Sequence, residues 1–362
     1  MIKKIIPILE WLPNYKRKYL KDDVSAGLTV GVMLIPQGIA YAMIAGLPPI
    51  YGLYTAMIPQ IIYAIFGTSR QLAVGPVAMD SLIVASGVAT LAQIGTDHFV
   101  EFAILLAFMM GVLQVLFGIF KLGFLVNFLS RPVISGFTSA AALIIALSQL
   151  KNLLGVNLQR GNKIHELIVD VYNHINEINW ITFSIGMISI AILIFFKKLT
   201  KKIPAALVLV VLGILVVKIF NLDQIGVKII GDIPQGLPDF KIPSFDKKTL
   251  IDLFPIALTL SFIAFLEAIS VAKAIELKHD DYKVAPNQEL IAIGMGNIVG
   301  SFFQTYPATG GLSRTAVNDQ IGAKTPLAAI IAGIVVGLTL LYLTPLFFYL
   351  PEAVLAAIII VA

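Results

Sequence analysis

The segment TYPATGGLSRTAVN, from Thr305 to Asn318, is a polar, glycine-rich interruption between two long apolar stretches. A weaker counterpart, QLAVGPVAMDS, runs from Gln71 to Ser81. Each reads as a short extended piece that breaks at proline or glycine and restarts as a helix. A helix start carries unpaired N–H groups and about half a positive charge, so it attracts anions without needing a charged side chain. Two such starts facing each other would make an anion site. Inside a bilayer, broken backbone survives only where protein buries it or where it lines a cavity. Discontinuous helices at matching places in two halves of a chain therefore point to a binding site for something that crosses the membrane.

Composition sets the frame for these two breaks. Apolar residues make up 58% of the 362-residue chain, charged residues 13%, and mean hydropathy is +0.91. An ordinary soluble domain carries roughly 25% charged residues, so the chain reads as an all-α polytopic membrane protein. The formal net charge is +5, but the 26 Lys and Arg fall mostly in short clusters beside apolar segments. That placement suits helix orientation in a membrane and leaves no basic face for nucleic acid. There are no cysteines, which excludes disulfides, thiolate metal sites and a cysteine nucleophile. His98, His165, His174 and His279 fall in predicted loops or at helix ends and read as solvated polar residues. No metal site and no cofactor is expected.

Spanning helices need about 20 mostly apolar residues, which places a first group at roughly 22–45, 49–67, 76–94, 99–120, 124–150, 180–196 and 203–220. The fifth is interrupted at Arg131-Pro132. A second group follows at roughly 250–275, 286–304, 311–322, 326–348 and 351–362. The short helix opening at Pro76 is third in its group, and so is the one opening at Gly310. Seven segments is an odd number, so a repeat of this unit enters the membrane from the opposite side. The expected architecture is a 7+7 inverted repeat with half-helices 3 and 10 and an incomplete second copy. Its parts lie at roughly 1–21 (a cytosolic or interfacial segment), 22–220 (first repeat), 221–249 (an extracellular linker) and 250–362 (second repeat). Ile5, Ile6, Leu9 and Leu12 suit a helix lying at the bilayer surface.

Charge placement puts the N-terminus in the cytoplasm. Lys3, Lys4, Lys16, Arg17, Lys18, Lys21, Arg70, Lys121, Lys197, Lys198, Lys201, Lys202, Lys278, Lys283 and Lys324 fall on that side. The longer outer loops, with Lys151, Arg160, Lys163 and Lys228 among acids, weigh less. The expected location is the inner cell membrane. Gly27/Gly31, Gly296/Gly300 and Gly333/Gly337 read as close helix packing.

Several residues could carry chemistry. Pro36-Gln37-Gly38 puts a helix breaker, an amide and a glycine near mid-membrane, and Tyr41 shares a helix face with Gln37. Glu267 lies in LSFIAFLEAISVAK with ten residues before it free of charge. A lone carboxylate there is expensive to bury and is a candidate proton carrier, unless Arg314 or Lys273 pairs with it structurally. Leu312, Ser313 and Arg314 open the helix after Gly310-Gly311, offering a hydroxyl and a guanidinium beside free N–H groups. Val77 and Ala78 open the other half-helix. Asp80 sits in the same first turn, where it favours the helix dipole but repels an anion, and so reads as an N-terminal acid or a cation ligand.

The runs DVSAGLTVGVMLIPQGIAYAMIAGLPPIYGLY, FGTSRQLAVGP, FLSRPVISGFTSAAAL, LEAISVAKAIE and GGLSRTAVN resemble the sulfate permease (SulP) family, which includes the solute-carrier anion exchangers. The resemblance implies a uracil-permease-like fold with a core domain, roughly 22–120 plus 250–348, that carries substrate past a gate domain, roughly 124–220 plus 351–362. It places the substrate pocket on Gln37, Tyr41, Val77, Ser313 and Arg314, beside which Ala78 and Leu312 at the helix starts are further candidates, and the coupling carboxylate on Glu267. Asp80 stands where many relatives have a small or apolar residue, which leaves room for a cation. The resemblance also implies two further helices and a cytosolic STAS domain after Ala362, with a homodimer formed through that region or the gate.

The resulting expectation is secondary active transport, by proton-coupled symport, of a small oxyanion such as sulfate, bicarbonate or a dicarboxylate. Sodium-coupled bicarbonate or other anion transport is the alternative, with Asp80 or Glu267 holding the ion. A nucleobase permease of the same fold would need acidic residues on helices 8 and 10, which Ser313-Arg314 does not supply. An anion channel or voltage-responsive motor is a further alternative, of which saturable, gradient-coupled flux would exclude the channel, and no nucleophile–base pair suggests an enzyme.

Overall fold

The computed structural model of the chain describes residues 6–124, 131–156, 164–199, 205–279 and 281–361. Lys3, Lys4, Ile5, Arg160, Lys163, Lys201 and Lys202, and the first three residues of the run FLSRPVISGFTSAAAL, lie outside the described residues.

The helices are α1 (Leu20–Ala45), α2 (Pro49–Phe66), α3 (Ala78–Val88), α4 (Asp97–Ile119), α5 (Arg131–Ser148), α6 (Trp180–Leu199), α7 (Ala205–Phe220), α8 (Lys247–Glu276), α9 (Pro286–Ser301), α10 (Leu312–Ile321), α11 (Leu327–Leu338) and α12 (Glu352–Val361). Two short strands, β1 (Val74–Gly75) and β2 (Thr309–Gly310), immediately precede α3 and α10. Among the described residues five helical stretches are long and apolar enough to cross a bilayer, namely those containing α1, α2, α4, α8 and α11.

α1 runs unbroken through Pro36 from Leu20 to Ala45, as the continuous segment at 22–45 predicts. The half-helices are shorter than expected. α3 begins at Ala78 and not at Pro76, because Val77 is still extended, and α10 begins at Leu312 because Gly311 is extended.

The chain divides into two compact units, residues 1–129 with 236–341 and residues 130–235 with 342–362. The first holds α1–α4 and α8–α11. Its core is filled from α1, α3, α4 and α8, with Ala42, Val84, Phe99, Leu106, Leu260 and Tyr306 all buried. A neighbouring cluster joins Tyr63 of α2, Phe265 and Ile269 of α8, and Ile293 of α9. Glycines set the closest helix contacts: a Cβ at Gly111 of α4 would meet the Gly294 carbonyl of α9 at 2.6 Å, and one at Gly27 of α1 would meet the Ala328 carbonyl of α11 at 2.6 Å. The glycine pairs noted in the sequence are packing positions of this kind. The second unit holds α5–α7 and α12. There Gly213 of α7 lets Val354 and Pro351 approach, and the Lys228 carbonyl accepts from the Glu352 N–H at 3.0 Å, tying down the start of α12.

In the first unit the extended segments need hydrogen-bond partners that lipid cannot provide. Asn297 of α9 supplies two. Its Oδ1 accepts from the Ala308 N–H at 2.8 Å and its Nδ2 donates to the Ala308 carbonyl at 2.9 Å, imitating a neighbouring strand. Thr55 of α2 accepts from the Tyr306 N–H at 3.1 Å, and the Thr309 hydroxyl donates to the Ala264 carbonyl of α8 at 2.6 Å. Asp23 of α1 and Glu289 of α9 act likewise on loops. Asp23 accepts from the Lys324 and Thr325 N–H groups, and Glu289 accepts from the Thr68 and Ser69 N–H groups and the Tyr63 hydroxyl.

Asn297→Ala strips both groups of Ala308 of their partner, at about 1–3 kcal/mol for each buried unpaired group. The expected outcome is a melting temperature lowered by several degrees in detergent, with Asn297→Asp, which keeps the acceptor, falling between the variant and the parent.

Candidate functional site

The site grows from the two strands. β1 and β2 pair antiparallel, Val74 opposite Gly310 and Gly75 opposite Thr309. Each segment leaves this short ladder and turns helical within three residues, so the starts of α3 and α10 lie close after the same ladder. Side chains of α10 zip the approach to β1 onto it. Thr315 Oγ1 accepts from the Ala73 N–H at 3.0 Å, the Gly311 N–H donates to the Ala73 carbonyl at 3.0 Å, and Asn318 donates to the Gln71 carbonyl at 2.8 Å.

Neither half-helix is capped by a side chain. Among the described residues no partner is found for the N–H groups of Ala78, Met79 and Asp80, nor for those of Leu312, Ser313 and Arg314. These are the unspent donors of two helix N-termini. Val77, Ala78, Ser313 and Leu312 frame them: Val77 is buried, Ala78 and Ser313 are partly exposed, and the Leu312 side chain is 62% exposed. Leu312 therefore offers its backbone and turns its side chain outward.

Arg314 is 1% exposed, the largest fully buried side chain of the chain's described part. Its Nη1 donates to Gln37 Oε1 of α1 at 3.2 Å, while Nε and Nη2 have no partner. The guanidinium folds back over its own helix start, where a Cβ on Gly311 would lie 2.6 Å from Nη2, and a Cβ on Gly75 would lie 3.6 Å from the same atom. A full positive charge thus sits between two helix ends that are already positive. Tyr41, one turn along α1 from Gln37, is buried within electrostatic reach of both Arg314 and Glu267.

Glu267 of α8 is partly buried, with Oε2 enclosed and unpartnered. Neither structural pairing considered for it forms. Lys273 pairs with Glu276 at 2.6 Å, and Arg314 is within electrostatic reach of Glu267 but makes no ion pair with it. Asp80 is fully buried with both carboxylate oxygens unpartnered, facing Glu267. The structure thus brings Gln37, Tyr41, Asp80, Glu267 and Arg314 together around the two helix starts.

Sequence reasoning passed over Tyr306. It is fully buried, its hydroxyl lies 3.1 Å from Ser81 Oγ at the start of α3, and it is within electrostatic reach of Tyr41, Asp80 and Arg314. Its signal was available, as a tyrosine inside the polar interruption before β2. His279 also departs from its reading as a solvated residue: Nε2 lies 2.6 Å from Oδ1 of Asp319, near the end of α10.

Comparison with known proteins gives concordant results. A family model described as the sulfate permease family matches residues 20–362. The chain is 43% identical over its whole length to the chloroplastic sulfate transporter 4.1 of Arabidopsis thaliana, and spans 53% of that relative. The structure of SLC26A9 superposes with a TM-score of 0.92 at 28% identity, covering 99% of this chain and 60% of that one. The transmembrane domain of the cyanobacterial bicarbonate transporter BicA superposes with a TM-score of 0.86 at 26% identity, covering 96% of this chain and 89% of that one. These likenesses bear out the inverted-repeat fold with half-helices at the third and tenth positions.

Gly311→Ala places a methyl group where the guanidinium lies. The end of a flexible side chain yields before backbone does, so the fold should persist while Arg314 is pushed off Gln37. The expected outcome is a folded protein whose melting temperature falls by the loss of one charge-assisted hydrogen bond, about 1.5–3 kcal/mol, with Gly136→Ala, where a Cβ meets nothing within 4 Å, behaving as the parent.

Proposed function

The chain belongs to the sulfate permease family, and from that premise we propose that it is the anion-carrying part of a secondary active transporter that moves a small oxyanion together with protons by alternating access. The observation that carries this reading is the pair of uncapped helix starts that follow the β1–β2 ladder, with a buried guanidinium beside them whose Nε and Nη2 have no partner. Each start contributes about half a positive charge and Arg314 a whole one, so the site is strongly cationic and its N–H groups lack acceptors. A tetrahedral or planar oxyanion supplies both the charge and the acceptors.

Roles follow from position. The N–H groups of Ala78 and of Leu312–Arg314 bind the anion, the Ser313 hydroxyl adds a donor, and Gln37 holds the guanidinium in place. Tyr41 forms a wall. Glu267 is the proton carrier: it faces Arg314, and an incoming anion competes with its carboxylate for the same positive field, so the anion favours its protonation. Sulfate is the first candidate substrate, since the Arabidopsis relative is named for it, followed by bicarbonate, for which the cyanobacterial neighbour is named.

The unit made of residues 1–129 and 236–341 contains every residue of the site, and we assign it the carrying role as the core domain. The unit of residues 130–235 and 342–362 takes the gate role. The protein is placed in the inner cell membrane with its N-terminus in the cytoplasm and works as a homodimer. Sodium is the competing coupling ion. A nucleobase substrate is disfavoured because Arg314 offers the tenth helix no acceptor for a heterocycle N–H.

The test uses the full-length protein in proteoliposomes, with labelled sulfate, bicarbonate, fumarate and uracil. Anion uptake should saturate and rise with an inward proton gradient, and Arg314→Ala should raise the anion Kd at least tenfold, about 1.4 kcal/mol. Glu267→Gln should lose more gradient-driven uptake than exchange at symmetrical pH. Uracil uptake, non-saturating flux, or stimulation by a sodium gradient alone would overturn the substrate class, the mechanism or the coupling ion, respectively.

A further inference from the structure

The anion site leaves unused a cationic surface that gathers around the start of α1. Lys16, Arg17, Lys18 and Lys21 lie there on a single helical turn (Arg17–Tyr19), its cap and the first turn of α1, and all four are exposed. A fifth cation, Lys324, joins them from the other end of the sequence. Its N–H donates to Asp23 of α1 at 2.7 Å, and the residue is exposed. Asp23 is buried and engaged with Lys324 and Thr325, which leaves Glu10 and Asp22 as the acids beside the five cations. Among the described residues none of the five forms an ion pair. Lys18 Nζ lies over the Tyr19 ring, 5.5 Å from its centroid.

Apolar side chains share this surface. Leu9, Leu12 and Leu20 are exposed. The turn Ile8–Trp11 that carries Leu9 is fixed to the body of the protein by Trp11, whose Nε1 donates to the Ala64 carbonyl near the end of α2 at 3.3 Å. Along α1, Lys21, Ser25 and Leu28 are exposed at helical spacing and so share one face, while Gly27 and Gly31 pack another face against α11. α1 has 26 residues, about 39 Å at 1.5 Å per residue, against a hydrocarbon core of about 30 Å. The helix overreaches that core, so its first turn stands at headgroup depth with Lys21 at the top of the lipid-facing stripe. Long cationic side chains at this level lay their stems among acyl chains and present their charges to phosphates. Exposed leucines continuous with a lipid-facing stripe suit a bilayer surface and serve no purpose towards a soluble acidic partner.

We propose that Lys16, Arg17, Lys18, Lys21 and Lys324, with Leu9, Leu12 and Leu20, form a binding surface for the headgroups of anionic phospholipids in the leaflet that the N-terminus faces. The inference needs only that α1 spans the membrane, and it is independent of the transported anion and the coupling ion. The whole surface lies on the unit of residues 1–129 and 236–341, so bound lipid grips the part of the chain to which the carrying role is assigned.

Native mass spectrometry of the purified full-length protein, released from detergent that holds equal amounts of phosphatidylglycerol and phosphatidylcholine with matched acyl chains, reads which lipid is retained. The parent should favour phosphatidylglycerol roughly tenfold. Lys16→Gln with Arg17→Gln should lose part of that preference, Lys18→Gln with Lys21→Gln another part, and all four combined with Lys324→Gln most of it. Because these side chains are exposed and unpaired, the variants should melt as the parent does. Lys16→Arg with Lys18→Arg and Lys21→Arg, which keeps the charges, should retain the preference. A parent without preference overturns the inference, and so does a combined variant that keeps it in full, since the lipid then sits elsewhere. Loss in the charge-preserving variant equal to that in the combined one overturns it too, because charge is then not what binds. Cross-linking of Lys18 or Lys21 to an acidic segment of the protein itself would hand the surface to an intramolecular partner and likewise refute it.

Discussion

Backbone N–H and C=O groups in a hydrocarbon layer must find partners within the protein, and the rest of this structure depends on how that constraint is met where two helices are broken. The extended approaches to α3 and α10 are satisfied almost group by group. They pair with each other across the β1–β2 ladder, and Asn297, Thr55, Thr315 and Asn318 supply what the two-residue ladder cannot. The conspicuous remainder is the first turn of each half-helix, whose N–H groups have no partner. In a chain that pairs so much of its broken backbone elsewhere, donors left open at one place are the feature on which the proposed anion site rests.

Electrostatics turns that position into a selective one. Placing a guanidinium between two positive helix ends is unfavourable unless negative charge joins it. The fold supplies carboxylates nearby without joining them to Arg314 by an ion pair. A direct buried ion pair would be costly to break and would hold the guanidinium on its partner. Kept apart, the groups stay open: Arg314 Nε and Nη2, Glu267 Oε2 and both carboxylate oxygens of Asp80 have no partner among the described residues. Gln37 is the neutral anchor of this arrangement: one hydrogen bond at 3.2 Å fixes the guanidinium without neutralising it.

Much of this could be read from the chain alone, for identifiable reasons. Pro76 and the pair Gly310-Gly311 stand beside small and polar residues within apolar surroundings, so the half-helices were visible as interruptions of hydropathy. Glu267 stood out because a charge within a long apolar run has few structural excuses. What escaped depended on tertiary neighbours. α1 continues through Pro36, and Gly38, two residues on, lets α2 approach at Gly52, a contact the sequence does not announce. The burial of Arg314 over Gly311 and its bond to Gln37, 277 residues away in sequence, leave no local trace. Tyr306 and Asn297 carry no local sign of their roles, although Asn297 holds the chain before β2.

The account stands or falls on an anion sitting between the two helix starts. Selenate, a heavy-atom relative of sulfate, locates that anion directly by its anomalous scattering in crystals of the full-length protein. A peak within hydrogen-bonding distance of the N–H groups of Ala78 and of Leu312 to Arg314 is the predicted result. A selenate bound away from both helix starts, or contacting only side chains at the surface, would contradict it.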